Sequence, residues 1–196
     1  MTFYDFGRFM CGTVLRGVWR LQAYGTEHVP LDGPLIVAAN HVSYLDPPAL
    51  GVALPRPISY MAKSELFRIP ILGPILPLVN AYPVDRGKGD IAAIRRSLEV
   101  LEKAGAIGIF PEGGRVREGQ GVAHAGVAML AAWSGAPVLP AYIGGSAQAK
   151  RLHKIEVTFG PVLRFPKMRK TNREELAEWR DQIMVGIRAL GEKPCK

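Results

Sequence analysis

A handful of residues in this chain combine reactive types with useful spacing. His41 and Asp46 flank Val42-Ser43-Tyr44-Leu45 and follow the apolar run 35–39. An imidazole with a carboxylate in reach is a general base with its orienter: the carboxylate keeps one ring nitrogen protonated and leaves the other free. The same aspartate also suits the N-cap of a helix opening at Pro47-Pro48, and one residue can serve both ends. In Phe110-Pro111-Glu112-Gly113-Gly114-Arg115, two glycines let backbone N–H groups turn toward an anion, and an arginine adds a bidentate clamp. An ordinary glycine turn beside a solvated arginine has the same composition. Arg86 and Lys88 lie in a glycine-flanked loop, for which a solvated Lys88 is the simpler reading, and Lys63 closes the run that begins at Ile58. Ser43 lacks the strained elbow context of a nucleophile and reads as a turn hydroxyl. His124, on a stretch of small residues, reads as structural. No His, Cys, Asp or Glu grouping has metal-ligand spacing.

Elements that position these residues follow from hydrophobic periodicity. Apolar runs of strand length fall at 35–39, 58–62, 81–84, 106–110, 138–143 and 155–159. Helical periodicity predicts helices over 91–103, with Asp90 as cap and Gly105 as stop, over 122–133, closed by Gly135, and over 174–190, capped by Thr171 or Asn172. Strands alternating with helices predict an α/β domain with a mixed, largely parallel sheet flanked by helices. Three polar clusters sit just after strands: 41–46, 85–86 and 112–115. Functional groups of such sheets gather at those ends.

Residues 3–21 sort by face at about 100° per residue. Phe3, Phe6, Met10, Val14, Val18 and Leu21 share one side; Asp5, Arg8, Arg16 and Arg20 share the other. This is an amphipathic helix that suits a membrane interface, and a helix docked on the domain core has the same pattern. We divide the chain into this N-terminal segment, 1–30, and a domain, 31–196. Arginines interrupt the apolar residues near the N-terminus, unlike a signal peptide, and no stretch has the 18 or so apolar residues a spanning helix needs.

With 196 residues, 48% of them hydrophobic and 21% charged, the chain suits one folded domain with a sizeable core. Cys11 and Cys195 form no disulfide framework, as in a reducing compartment. A formal charge of +8 predicts an anionic partner. The stretch 150–173 alone holds eight Lys and Arg against one acid, Glu156. Nucleic acid fits the charge but lacks any recognition motif or aromatic-interleaved basic patch. A membrane surface or a phosphorylated substrate remains.

Asn40-His41 with Asp46 resembles the NHxSxxD motif of glycerolipid acyltransferases, the 1-acylglycerol-3-phosphate acyltransferase group. Val84-Asp85-Arg86 is similar to that family's second motif, Phe110–Arg115 to its FPEGTR block, and Pro137–Ile143 to its fourth, proline-containing block. The resemblance covers roughly 34–161, with the four blocks in order. It implies an enzyme that moves an acyl group from acyl-CoA or acyl-carrier protein to the free hydroxyl of lysophosphatidic acid, giving phosphatidic acid, with no bound cofactor and no metal. His41 would be the base and Asp46 its partner. Arg86 and Arg115 would bind the acceptor's phosphate with help from Lys63, in a site to which Glu112, Gly113 and Gly114 belong. Gly114 departs from the family's usual Thr or Ser, which bears on acceptor choice. Other acceptors, such as glycerol-3-phosphate or another lysolipid, and a non-catalytic lipid-surface binder share these motifs. The expected location is peripheral, on the cytoplasmic face of an anionic membrane.

Overall fold

The computed structural model describes residues 2–85, 90–115, 123–168 and 170–192. Among them, helix α1 (Phe3–Trp19) is followed by strand β1 (Gln22–Tyr24), β2 (Leu35–Ala39), α2 (Asp46–Ala53), β3 (Ile58–Lys63), α3 (Leu72–Leu78) and β4 (Ala81–Val84). Then come α4 (Ile91–Glu102), β5 (Ala106–Ile109), α5 (Gly126–Ser134), β6 (Val138–Gly144), β7 (Glu156–Phe159) and α6 (Arg173–Gly191). The strands form one mixed sheet in the order β1-β7-β6-β2-β5-β3-β4. Only the β6–β7 pairing is antiparallel.

Residues of β2 are fully buried on both faces, which is why Leu-Ile-Val-Ala-Ala reads as a continuous apolar run. Leu35, Val37 and Ala39 pack with α1 and α2 on one side, against Leu15, Leu50 and Val52. Ile36 and Ala38 pack on the other, against Val127 and Leu130 of α5 and Ile183 and Ile187 of α6. The sheet is thus the middle of three layers.

Asp90 caps α4 through Ala93 N–H, and Asn172, rather than Thr171, caps α6 in a reciprocal box with Glu175. The stop after α4 differs from expectation: Ala104, not Gly105, takes positive φ. Gly105 is needed instead for closeness, since a Cβ there would lie 2.8 Å from the Val100 carbonyl oxygen. Helix α5 opens at Gly126, later than its apolar pattern suggests, because His124 N–H is drawn to the Pro111 carbonyl at 2.8 Å. Strand β1 lies within the segment read from sequence as an appendage, yet it pairs with β7 at the sheet edge.

Helix α1 docks by a narrow stripe. Leu15 and Gly12 are buried, the Tyr4 hydroxyl accepts Ile58 N–H at 3.1 Å, and Arg8 donates to the Leu54 carbonyl at 2.6 Å. Its broad apolar side faces away from the domain: Phe3, Phe6, Met10, Val14 and Val18 are exposed, as is Phe9 on the arginine side. Arg20 closes the helix in the left-handed conformation, so Leu21, grouped with that side from sequence, turns into the core instead. No helix among the described residues is long and apolar enough to cross a membrane.

Candidate active site

Strands β2, β5, β3 and β4 are consecutive neighbours in the sheet, with β2, β5, β3 and β4 all parallel. Their C-terminal ends therefore bring His41, Glu112, Lys63 and Asp85 to one edge, although the residues are dispersed in sequence. Asn40 fixes where β2 ends. Its side-chain amide donates to the Ile143 carbonyl at 3.0 Å and accepts Ile143 N–H at 2.7 Å, tying the strand end to β6.

The loop after Asn40 folds around one carboxylate oxygen. Asp46 Oδ2 lies 2.9 Å from His41 Nδ1 and accepts the N–H groups of Val42 and Ser43 at 2.7 Å each. Asp46 is therefore not the N-cap of α2. The helix begins at Asp46 itself, with Pro47 behind it, and the carboxylate turns back toward the loop because three donors converge there. An ionised carboxylate only accepts, so His41 Nδ1 carries the proton and Nε2 presents a lone pair. Asp46 is fully buried, and its Oδ1 has no hydrogen-bond partner among the described residues.

A stack of aromatic rings backs the imidazole. Phe110 stacks on the His41 ring with centroids 4.2 Å apart, and Tyr60 stacks in turn on Phe110 at 6.5 Å. The Tyr60 hydroxyl donates to the Pro47 carbonyl at 2.9 Å, and burial pushes its pKa well above the usual phenol value. Gly108 makes room for that ring, since a Cβ there would lie 2.4 Å from it. The sequence signal was Phe110 itself, the last apolar residue before the Pro-Glu-Gly-Gly-Arg turn.

Glu112 accepts His41 backbone N–H at 2.8 Å, so it joins the two loops. Burial raises its carboxyl pKa above the ordinary range. The hydrogen bond from His41 N–H and the positive field of Arg188 oppose that rise, while the Asp46 charge adds to it. Gly113 has φ +67 and donates its N–H to the Phe110 carbonyl at 2.9 Å. A Cβ there would also meet the His124 ring at 2.7 Å, so glycine is required twice over. Gly114 continues the turn, half-buried. The Arg115 guanidinium lies 3.4 Å from the centroid of the exposed Tyr44 ring, a cation–π contact between the two loops.

Lys63, at the end of β3, pairs with Glu65 at 2.9 Å, both about half exposed. Such a pair exchanges readily for a stronger anion. Ser64 donates to Asp85, and Asp85 N–H binds Asp90 Oδ2 at 2.8 Å, which joins the ends of β3 and β4. Arg86 lies outside the described residues, as does Lys88.

Comparison with known proteins agrees with this architecture. The acyltransferase family model matches residues 20–144. The chain is 33% identical over 149 residues to the 1-acyl-sn-glycerol-3-phosphate acyltransferase of Bacillus subtilis, covering 74% of each protein. It is 28% identical to a chloroplastic 1-acyl-sn-glycerol-3-phosphate acyltransferase of Brassica napus over 66% of its own length, but spans only 39% of that relative. In fold it is similar to the crystal structure of the 1-acyl-sn-glycerophosphate acyltransferase from Thermotoga maritima. The TM-score is 0.74 at 23% identity, over 98% of this chain and 83% of that one. A family match over most of the chain, together with a relative at this level of identity, makes the chain a member of the acyltransferase family.

Proposed function

We propose that the protein transfers an acyl group from an acyl thioester, acyl-CoA or acyl-carrier protein, to the free hydroxyl of lysophosphatidic acid, giving phosphatidic acid. The observation that carries the chemistry is the buried His41–Asp46 pair at 2.9 Å. The names of the sequence relatives support the acceptor.

A thioester is already activated, so the acceptor needs a base more than the enzyme needs a nucleophile. His41 Nε2 removes the hydroxyl proton, and the oxygen attacks the thioester carbonyl. The tetrahedral adduct collapses with loss of the C–S bond, and the imidazolium returns its proton to the thiolate. An ester and a free thiol result. Asp46 stabilises the intervening imidazolium, and Phe110 shields one face of the ring from water. The N–H groups of His41, Val42, Ser43 and Gly113 are committed to Glu112, Asp46 and Phe110, so the oxyanion takes its donors from elsewhere.

Arg115 and Lys63, with Arg86, supply the positive charge for the acceptor's phosphate. Each described cation sits in a weak exposed contact that a phosphate outcompetes. The outward apolar side of α1 holds the protein peripherally at the cytoplasmic face of an anionic membrane. A second acceptor reading, another lysolipid, is favoured by Gly114, which offers no hydroxyl to the phosphate loop.

The test is acyl transfer read by mass spectrometry of the lipids. Purified protein receives a panel of acyl-CoAs and acyl-carrier proteins with lysophosphatidic acid, glycerol-3-phosphate and neutral or amino-acid-derived lysolipids. Phosphatidic acid is the expected product. Ester formed only on another acceptor retains the mechanism and reassigns the substrate, and no product with any pair removes the enzymatic reading.

A further inference from the structure

We propose that the protein docks on an anionic bilayer through two elements: the outward side of α1 and an apolar knuckle, residues 69–78, that holds Ile71 out as an insertion point. This extends the proposed peripheral attachment, and it rests on that reading only for its orientation of the lipid substrate.

The knuckle is built to a definite shape. Leu72 N–H donates to the Pro70 carbonyl at 2.9 Å, and Ile71 between them has φ 72 and ψ −56. This is the strained hand of the γ-turn, and a β-branched residue is among the poorest choices for it. Gly73 folds beneath, with its N–H on the Ile69 carbonyl at 2.8 Å. A Cβ at Gly73 would lie 2.2 Å from the Phe67 carbonyl oxygen, so the fold-back requires glycine. Packing within the protein does not offset the strain at Ile71, whose side chain is 82% exposed. Ile69, Leu72, Ile75 and Leu78 are exposed with it. Backbone strain spent on presenting an isoleucine to solvent is explained if that side chain enters hydrocarbon.

The two apolar faces adjoin. A Cβ on Gly7 of α1 would stand 3.6 Å from Val79, the residue that ends α3. On the side of α1 turned toward α2, Asp5, Arg8, Phe9, Arg16 and Val52 line a cavity of about 300 Å³. The Asp5 carboxylate is engaged by the Thr2 N–H and hydroxyl at 2.8 Å each, and Arg8 donates to the Leu54 carbonyl at 2.6 Å. The formal charge of +8 suits a surface of anionic lipid. The same charges disfavour a second copy of this chain, which would bring +8 against +8. The knuckle lies in the crossover from the C-terminal end of β3, which carries Lys63, to the start of β4 at Ala81.

The test is partitioning of the full chain onto phosphatidylcholine vesicles with and without phosphatidylglycerol, measured without substrate. The variants are Ile71→Gly and the double Ile75→Ser/Leu78→Ser, with Val185→Ser, an exposed apolar residue of α6, as control. Ile71→Gly is expected to weaken binding to the anionic vesicles about tenfold. Its thermal midpoint should be no lower than wild type, because glycine relieves the turn. The double variant should weaken binding further, and the control should bind as wild type. Unchanged partitioning in both knuckle variants overturns the proposal, as does a wild-type dimer that the same variants dissociate. Binding that survives in a protein unable to acylate lysophosphatidic acid supports the docking face while the acceptor reading falls.

Discussion

Each end of the sheet buries a charged side chain next to α2. At the N-terminal edge, Arg56 donates to the carbonyls of Pro30, Gly33 and Ala104 at 3.0, 2.8 and 2.7 Å. Burial lowers its pKa, offset in part by Asp32. At the C-terminal edge, Asp46 meets two backbone N–H groups and an imidazole, with one oxygen unpartnered. Arg56 is held by neutral groups that do not titrate, so it can only staple the segments that precede β2 and β5. Asp46 is held partly by an imidazole, the group that takes up and returns a proton in the proposed reaction. Under the proposed mechanism, the difference between the two buried charges is that the partner of Asp46 changes state during the reaction and the partners of Arg56 do not.

The sharpest way to break the comparison is to remove the titratable partner. His41→Ala is expected to cut turnover about 10²–10⁴-fold, with the thermal midpoint nearly unchanged, as read by product formation and calorimetry. Asp46→Asn should cost a similar factor for a different reason. One atom, Oδ2, meets all three groups, so an amide oxygen in its place still accepts them, but the charge that stabilises the imidazolium is gone. Full activity in Asp46→Asn would make the two edges alike.

Arg56→Met inverts the pattern. Three carbonyls lose their donors, and stability in urea should fall by about 3 kcal/mol, while kcat of the folded fraction is retained. Glu112→Gln is a smaller change. Because its folded pKa is raised, wild-type stability falls as pH climbs from the unfolded carboxyl value through the folded one, then levels. The glutamine variant keeps an acceptor for His41 N–H and should lose that slope, which thermal midpoints between pH 4 and 7 would show. Tyr44→Leu frees Arg115 from its ring and should shift the acceptor KM by roughly two- to fivefold, leaving kcat alone.

Much of this was legible in the residues. Buried parallel strands announce themselves as unbroken apolar runs, and β2 and β4 begin and end where such runs do. Asp90 and Asn172 are caps by chemistry. Strand β1 escaped because Gln22-Ala23-Tyr24 is short and polar, and only the partner edge of β7 makes it a strand. The periodicity of α1 was plain, but a hydrophobic face does not say which way it looks, and here the stripe that docks includes Gly12, chosen for absence of bulk. At the site, the spacing of His41 and Asp46 allowed either a pair or a helix cap, and the motif resemblance implied the pair. The grip of Glu112 on a main-chain N–H, and of Phe110 on a ring, did not, because both bridge loops that meet only when β2 and β5 are neighbours.

Asn40 has a consequence for the time the strand end spends closed. Its amide is a peptide unit turned sideways: one donor and one acceptor, matched to Ile143 as a backbone residue would be. The ladder therefore gains a rung after the main chain has left it. Strand ends ordinarily fray, and their amides exchange with solvent deuterium far sooner than interior ones. Here the Ile143 amide should exchange on the schedule of the sheet interior, and the main chain of His41, spared from pairing with β6, is free to spend its own N–H on Glu112.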